Sequence, residues 1–367
     1  MDSSHLTGIN VPDYVFEHVV NKQKESEMKL KRIGIDLAKN VFQLHGVDDH
    51  ENPVLHRQLK RSQVKIFFTQ LPATLVGMEA CGSAYYWARE LERLGHTVKL
   101  IPPQFVKPYV TGNKTDANDA EAICEAVSRP RMRFVTIKTP EQQALQIQQR
   151  IRQRLIRART ALVNEIRGAL GEFGILFSRL GIAVIQRELP GILEDADNGL
   201  CGLMRENLHA LWEELGDLNK RIQQLDAKLK LHAKADERIQ RLQQIDGVGP
   251  VGASAIVAAV GDAKQFKSAR EFSAWLGIVP RQHSSGGKDK FQGISKRGDT
   301  YLRTLVVHGA RAVVQHSKHK TDSRSQWINA LVQRRNKNIA TVALANKNAR
   351  IMWAMLTRAE NYRAAVN

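Results

Sequence analysis

Four carboxylates and one serine-glycine segment carry the chemistry open to this chain. Asp36 sits in GIDLAKN, inside an apolar run. Glu79 closes a second apolar run in LVGMEACG. Asp116 and Asp119 lie three apart in NKTDANDA, the spacing that puts both on one helix face. An acid within or at the end of an apolar strand is costly unless it is paired or binds a cation. Taken singly, Asp36 would suit a turn at a strand end, and the two helix acids would complement a helix dipole. Taken together, four carboxylates with no partnering His or Cys suit hard, oxygen-seeking ions, Mg²⁺ or Mn²⁺. Two such ions held ~3.5–4 Å apart can activate a nucleophile and stabilise the leaving oxygen of a phosphodiester. The segment HSSGGKDKFQG combines small residues and flexible backbone with Lys288 and Lys290, and Lys296 and Arg297 follow closely. Such a loop can approach a phosphate, although an ordinary mobile Ser-Gly loop has the same composition. His283 reads as a surface histidine that could assist proton transfer.

The elements that must position these residues follow from patterning. KRIGIDL (31–37) and VFQLHGV (41–47) read as strands joined by a short turn. TLVGMEA (74–80) and TVKLIPP (97–103) read as further strands, the latter stopped by its prolines, and MRFVTIK (132–138) as one more. Helices are expected over 59–71, about 83–94 and 115–127. This alternation predicts an α/β domain with a mixed sheet. Beyond Pro140 the chain is strongly helical. Leu208, Leu211, Leu215, Leu218, Ile222, Leu225 and Leu229 form an unbroken a/d heptad run. That run fits a core-facing helix of a bundle, and its flanking charges favour an exposed coiled-coil arm for dimerisation. In IDGVGPVGASA, Gly247 and Gly249 form a turn between two helical runs, a helix-hairpin-helix-like element. Its backbone N–H groups would suit a DNA phosphate, and a tight helix-helix turn without a ligand fits equally.

Charge narrows the partner. The 367 residues hold 55 Lys+Arg against 37 Asp+Glu, a formal net charge of +18. From Arg281 to Asn367 there are 17 Lys/Arg and 4 Asp/Glu, so most of the excess lies at the C-terminal end. A second basic patch holds Arg150, Arg152, Arg154, Arg157, Arg159 and Arg167, of which Arg150, Arg154 and Arg157 are the leading candidates for phosphate contact. A hydrophobic content of 43% excludes wholesale disorder. No apolar run reaches 18 residues, no secretory signal opens the chain, and three cysteines are too few for a disulfide framework. A cytoplasmic protein with a polyanionic partner, nucleoid-associated when active, is the expectation. Residues 1–27 show no clear period, and Met28 is a candidate start.

In GIDLAKN (34–40), GMEACGSAYYWA (77–88), NKTDANDA (113–120), IDGVGPVGASA (245–255) and FSAWLGIVPRQHSSGGKDKFQGISKRGD (272–299), the sequence resembles the DEDD transposases of the insertion sequence 110 family. Within it, the insertion sequence 1111 subgroup is similar. The resemblance spans about residues 30 to 360, in order. It implies an α/β plus α architecture. A RuvC-like, ribonuclease H-fold catalytic domain (29–140) follows an N-terminal extension (1–28). A helical linker and coiled coil (141–240) then lead to a mainly helical transposase domain (241–367). The family's four metal-binding acids fall on Asp36, Glu79, Asp116 and Asp119. Its nucleophilic serine falls on Ser285, with Ser284 adjacent. The reaction implied is Mg²⁺-dependent cutting and rejoining of donor and target DNA through a covalent phosphoserine. A noncoding guide RNA and a homo-oligomer, dimer or tetramer, are implied as partners.

Three other classes compete. A RuvC-like nuclease of the Holliday-junction resolvase type would use water as nucleophile, but needs little beyond the first domain. An actin-like kinase would share the strand Asp of GIDLAKN, but fits neither the charge nor NKTDANDA. A non-catalytic DNA-bridging protein would leave four acids unexplained beside a polyanion.

Overall fold

The computed structural model describes residues 29–113, 115–286 and 288–363. The N-terminal extension and Met28 lie outside the described residues. Two compact units divide the chain between Lys138 and Thr139.

The first unit is built on a five-stranded mixed sheet. Its strands are β1 (Arg32–Leu37), β2 (Val41–Val47), β3 (Pro53–Lys60), β4 (Leu75–Glu79) and β5 (Thr97–Ile101), in spatial order β3-β2-β1-β4-β5. β1 to β3 form an antiparallel meander, while β4 and β5 run parallel to β1. Helices α1 (Val64–Thr69) and α2 (Ala84–Arg93) cover one face. There Ile33, Ile35, Val76 and Met78 pack with Phe67, Phe68, Trp87 and Leu91. After the one-turn α3 (Pro103–Val106), α4 (Asp116–Val127) covers the other face, where Ala122, Ile123, Ala126 and Val127 are buried.

Two expectations fail here. Residues 59–71 are not one helix: β3 runs to Lys60, and α1 starts at Val64. The period-2 burial of Leu55 and Leu59 was obscured by the polar His56, Arg57 and Gln58 of this edge strand. Nor is 132–138 a strand. It is extended and touches the sheet through one bridge, where the Val135 N–H donates to the Leu100 carbonyl at 2.8 Å.

The second unit is helical: α5 (Pro140–Gly171), α6 (Ile182–Glu194), α7 (Gly202–Ala235), α8 (Glu237–Leu242), α9 (Pro250–Val260), α10 (Ala269–Trp275), α11 (Thr300–Gln315), α12 (Ser323–Arg334) and α13 (Lys337–Arg358). α5 opens with a capping box between Thr139 and Gln142. Arg152 pairs with Asp226 and Arg159 with Asn219, so seven residues forward on α5 match seven back on α7. The two long helices are therefore an antiparallel hairpin. The heptad seam closes inside it. Leu208, Leu215, Leu218, Ile222 and Leu229 are at most 7% exposed, and Leu155, Leu162, Val163 and Ile166 of α5 share their apolar cluster up to Ile222. The seam expected to be an exposed arm is thus covered within the chain, because α5 supplies a complementary apolar stripe.

The unit also contains a β-ribbon where a loop was expected. β6 (Pro280–Ser285) pairs antiparallel with β7 (Lys288–Ile294), around a two-residue turn containing Gly286 at φ +57°. Among the described residues, no helix is long and apolar enough to cross a membrane.

Candidate active site

The acids are brought together by two glycines. In the parallel register of β1 and β4, Gly34 lies beside Gly77 and Ile35 beside Met78. One more residue of that register sets Asp36 beside Glu79, on the same face as the glycines because side chains alternate. A Cβ on Gly34 would stand 2.2 Å from the Ala120 carbonyl and 2.4 Å from the Cys124 nitrogen. A Cβ on Gly77 would meet the Val127 side chain at 2.9 Å. Only glycine lets α4 lie this close to the sheet. Its Cys124 end sits over Arg32 and its middle over Gly34, so α4 runs antiparallel to β1. Its first turn, with Asp116 and Asp119, comes over Asp36.

Electrostatics report the same convergence. The Asp36 carboxyl is raised from 3.8 to about 6, first by burial and then by the charges of Asp116, Asp119 and Glu79. The Cys81 thiol is also pushed up, by burial and then by Glu79 and Asp36. Asp36, Glu79 and Asp119 are half-buried and Asp116 is exposed, so a ligand can reach the group. Thr115 caps α4 by accepting from the Asn118 N–H. The Asn118 amide in turn donates to the carbonyls of Thr111 and Asn113, fixing the loop that enters the helix. The donor set is all carboxylate and its members repel one another, a chemistry that suits a divalent cation. Among the described residues, however, no three His, Cys, Asp or Glu side chains stand around a common point as a finished ligand cage.

Arg32 is the residue that sequence reading missed. It is 3% exposed, donates from Nε to the Cys124 carbonyl at 2.9 Å, and grips both oxygens of Glu51. Its Nη2 also lies 3.6 Å from Glu125. Arg32 draws the Glu51 carboxyl down to about 2. One side chain thus ties the β2–β3 turn and α4 to β1, and so holds Asp116 and Asp119 over Asp36. The parity Arg32, Gly34, Asp36 along β1 was the available signal.

In the second unit, Ser285 closes β6 and Lys288 opens β7, paired across the turn; their side chains lie outside the described residues. Ser284 is exposed and its hydroxyl accepts from Gln282 at 2.8 Å. His283, Lys290, Lys296 and Arg297 are exposed. The basic patch of α5 divides. Arg150, Arg154 and Arg157 face solvent, whereas Arg152, Arg159 and Arg167 bind Asp226, Asn219 and the Gly181 carbonyl. Gly247, at φ +84°, packs against α11, where a Cβ would stand 2.5 Å from the Gly309 carbonyl. Gly249 is open and caps α9.

Two family models and several relatives match the chain. Residues 33–175 match a DEDD transposase family of the IS110 type, and residues 239–326 match the family described as Transposase IS116/IS110/IS902. A Pseudomonas aeruginosa protein named "Probable family 20 transposase" is 59% identical over 336 residues, covering 92% of this chain and 99% of that protein. The chain belongs to the IS110 family of transposases. The transposase is also 49% identical over 345 residues to the Coxiella burnetii transposase for insertion sequence element IS1111A, covering 94% of each. It is 43% identical over 326 residues to the Yersinia enterocolitica transposase for insertion sequence element IS1328, covering 89% of this chain and 96% of that protein. All four acids fall within the span of the first family match.

Proposed function

We propose that this transposase cuts and rejoins DNA by metal-dependent phosphodiester transfer through a phosphoserine on Ser285. The observation that carries the proposal is the β1–β4 register, whose continuation sets Asp36 beside Glu79, together with the charges of Asp116, Asp119 and Glu79 acting on Asp36. Asp36, Glu79, Asp116 and Asp119 would hold Mg²⁺, which when bound supplies Lewis acidity to the phosphate and to the attacking and leaving oxygens. Strand order β3-β2-β1-β4-β5 with helices on both faces supports a RuvC-like, ribonuclease H-type reading of residues 29–140. Residues 141–240 then serve as linker and 241–367 as the DNA-handling domain.

In the first step, the Ser285 Oγ–P bond forms, one P–O ester bond to deoxyribose breaks, and the hydroxyl proton ends on the released sugar oxygen. In the second, a sugar hydroxyl of the new strand attacks the phosphoserine, restoring the serine hydroxyl and a phosphodiester. The number of ester bonds is conserved, so no external energy source is needed. The solvent-facing Arg150, Arg154 and Arg157, and Lys288, Lys290, Lys296 and Arg297 beside the serine, are assigned to phosphates of nucleic acid. Gly249, at the open N-terminus of α9, is assigned a phosphate, with Gly247 shaping the turn. Identity to the IS1111A transposase supports membership of that subgroup. Guidance by a noncoding RNA and assembly as dimers or tetramers belong to the same reading.

The test is denaturing electrophoresis of labelled DNA with the parent, Ser284→Ala and Ser285→Ala. A covalent adduct lost only in Ser285→Ala is expected. An adduct that survives in Ser285→Ala but not in Ser284→Ala moves the nucleophile by one residue. Cleavage with no adduct in any protein makes water the nucleophile and overturns the phosphoserine.

A further inference from the structure

We propose that a shallow pocket at the acid end of the sheet binds an unpaired nucleotide of a DNA strand. The proposal rests on the DNA-cutting reading above. The pocket measures about 780 Å³ and is lined by Asn40, Val41, Lys60, Arg61, Tyr86 and Trp87, with Lys65 at its edge. Its place follows from register. Asp36 lies opposite Gln43, and Val41, two residues along β2, lies opposite Lys60. Two residues of strand are about 7 Å, so the pocket opens at the end of the sheet that carries the acids. Its helical wall, α2, starts five residues after Glu79.

Three features select the ligand. The first is uncompensated charge: among the described residues no carboxylate pairs with Lys60 or Arg61, whereas Lys65 is paired with Glu90. The second is stacking surface. The Arg61 guanidinium lies over the rings of Phe42 and Trp87, 5.8 and 5.2 Å from their centroids, and Tyr86 is 41% exposed. Guanidinium planes and aromatic rings are what unstacked bases lie on. The third is an unmet donor: Trp87 is 3% exposed, and its indole N–H has no acceptor among the described residues. A base edge entering beside Arg61 would bring it an acceptor.

Cations beside planar groups fit a phosphate joined to a base. In a duplex the bases are already stacked and cannot enter. Transfer of a strand to a new partner requires nucleotides to leave one duplex for another, and this pocket would hold such a nucleotide at the acid end of the sheet, on the α1–α2 face opposite the acids. The Arg61 backbone N–H donates to the Asn40 carbonyl at 2.8 Å, so the β1–β2 and β3–α1 turns present these groups as one unit.

The experiment is fluorescence anisotropy on the full chain without divalent metal, using labelled oligo(dT) and, as controls, a DNA duplex and oligo(U) of equal length. Arg61→Ala with Tyr86→Ala should weaken oligo(dT) binding at least tenfold and duplex binding less than twofold. Trp87→Phe, which keeps the ring and removes the donor, should weaken oligo(dT) binding severalfold. Thermal melting confirms that each variant is folded. Unchanged oligo(dT) binding, or equal losses on oligo(dT) and duplex, would overturn the pocket. A larger loss on oligo(U) than on oligo(dT) would overturn the assignment to DNA. Asp36→Asn separates the two readings. It should abolish cleavage while binding oligo(dT) like the parent, so the pocket can fail while the catalytic assignment stands.

Discussion

Removing the Asp36 charge should stabilise the metal-free protein while destroying its activity. Burial and three neighbouring acids raise this carboxyl from 3.8 to about 6. A carboxylate whose folded value exceeds its unfolded value binds its proton more tightly when folded. Its contribution is therefore fully present below about pH 4 and is lost as pH rises through about 6. At about 1.4 kcal/mol per tenfold change in proton affinity, the ceiling is about 3 kcal/mol. Asp36 is only half-buried, and solvent screening brings this to about 1–2 kcal/mol. Asp36→Asn keeps the shape and removes the repulsion. At pH 7 in chelator the variant should melt about 4–8 °C above the parent. The difference should vanish below about pH 4 and grow between about pH 4 and 6. Millimolar Mg²⁺ should raise the parent's melting temperature and narrow the gap, and strand cleavage should be absent in the variant. Scanning calorimetry across pH, with and without Mg²⁺, measures all of this. A variant no more stable than the parent at pH 7, or a difference flat with pH, would refute the coupling of the four acids. Retained cleavage in Mg²⁺ would refute the metal assignment.

Other positions give sharper structural outcomes. Gly309→Ala would put a Cβ 1.8 Å from the Gly247 carbonyl, and should cost about 1–3 kcal/mol in melting experiments; Gly252→Ala, with open space around it, should be neutral or slightly stabilising. Leu218→Glu places a charge in the α5–α7 seam and should destabilise the second unit by about 3 kcal/mol or more. Sedimentation tells the two roles of that seam apart, because loss of self-association without loss of stability would return it to a dimer interface. Arg32→Lys keeps the charge but not the fork that holds Cys124 and Glu51, and should cost about 1–3 kcal/mol. It should also raise the Mg²⁺ concentration needed for half-maximal cleavage, an effect that a purely structural role would not produce.

Much of the molecule is legible in the sequence. The apolar runs ending at Asp36 and Glu79 marked two strands, and the acidic first turn after Thr115 marked a helix start, because periodicity and capping are local properties of sequence. Asp36 and Glu79 stood out because a carboxylate within or closing an apolar strand is conspicuous, and Asp116 and Asp119 because their spacing puts them on one helix face. Their convergence was not legible, since it depends on which strands pair and in what register, and on Gly34 and Gly77 admitting α4 to the sheet. Arg32 read as one more basic residue until packing buried it between Glu51 and Cys124. The heptad run gave its period but not its partner, because an a/d stripe is equally satisfied by a second chain or by α5 of the same chain. The Ser-Gly segment passed for a loop because polar alternation in a short exposed ribbon carries little hydrophobic signal. Residue types and local spacing determined the chemistry available to this protein, and long-range pairing alone decided which of those residues meet.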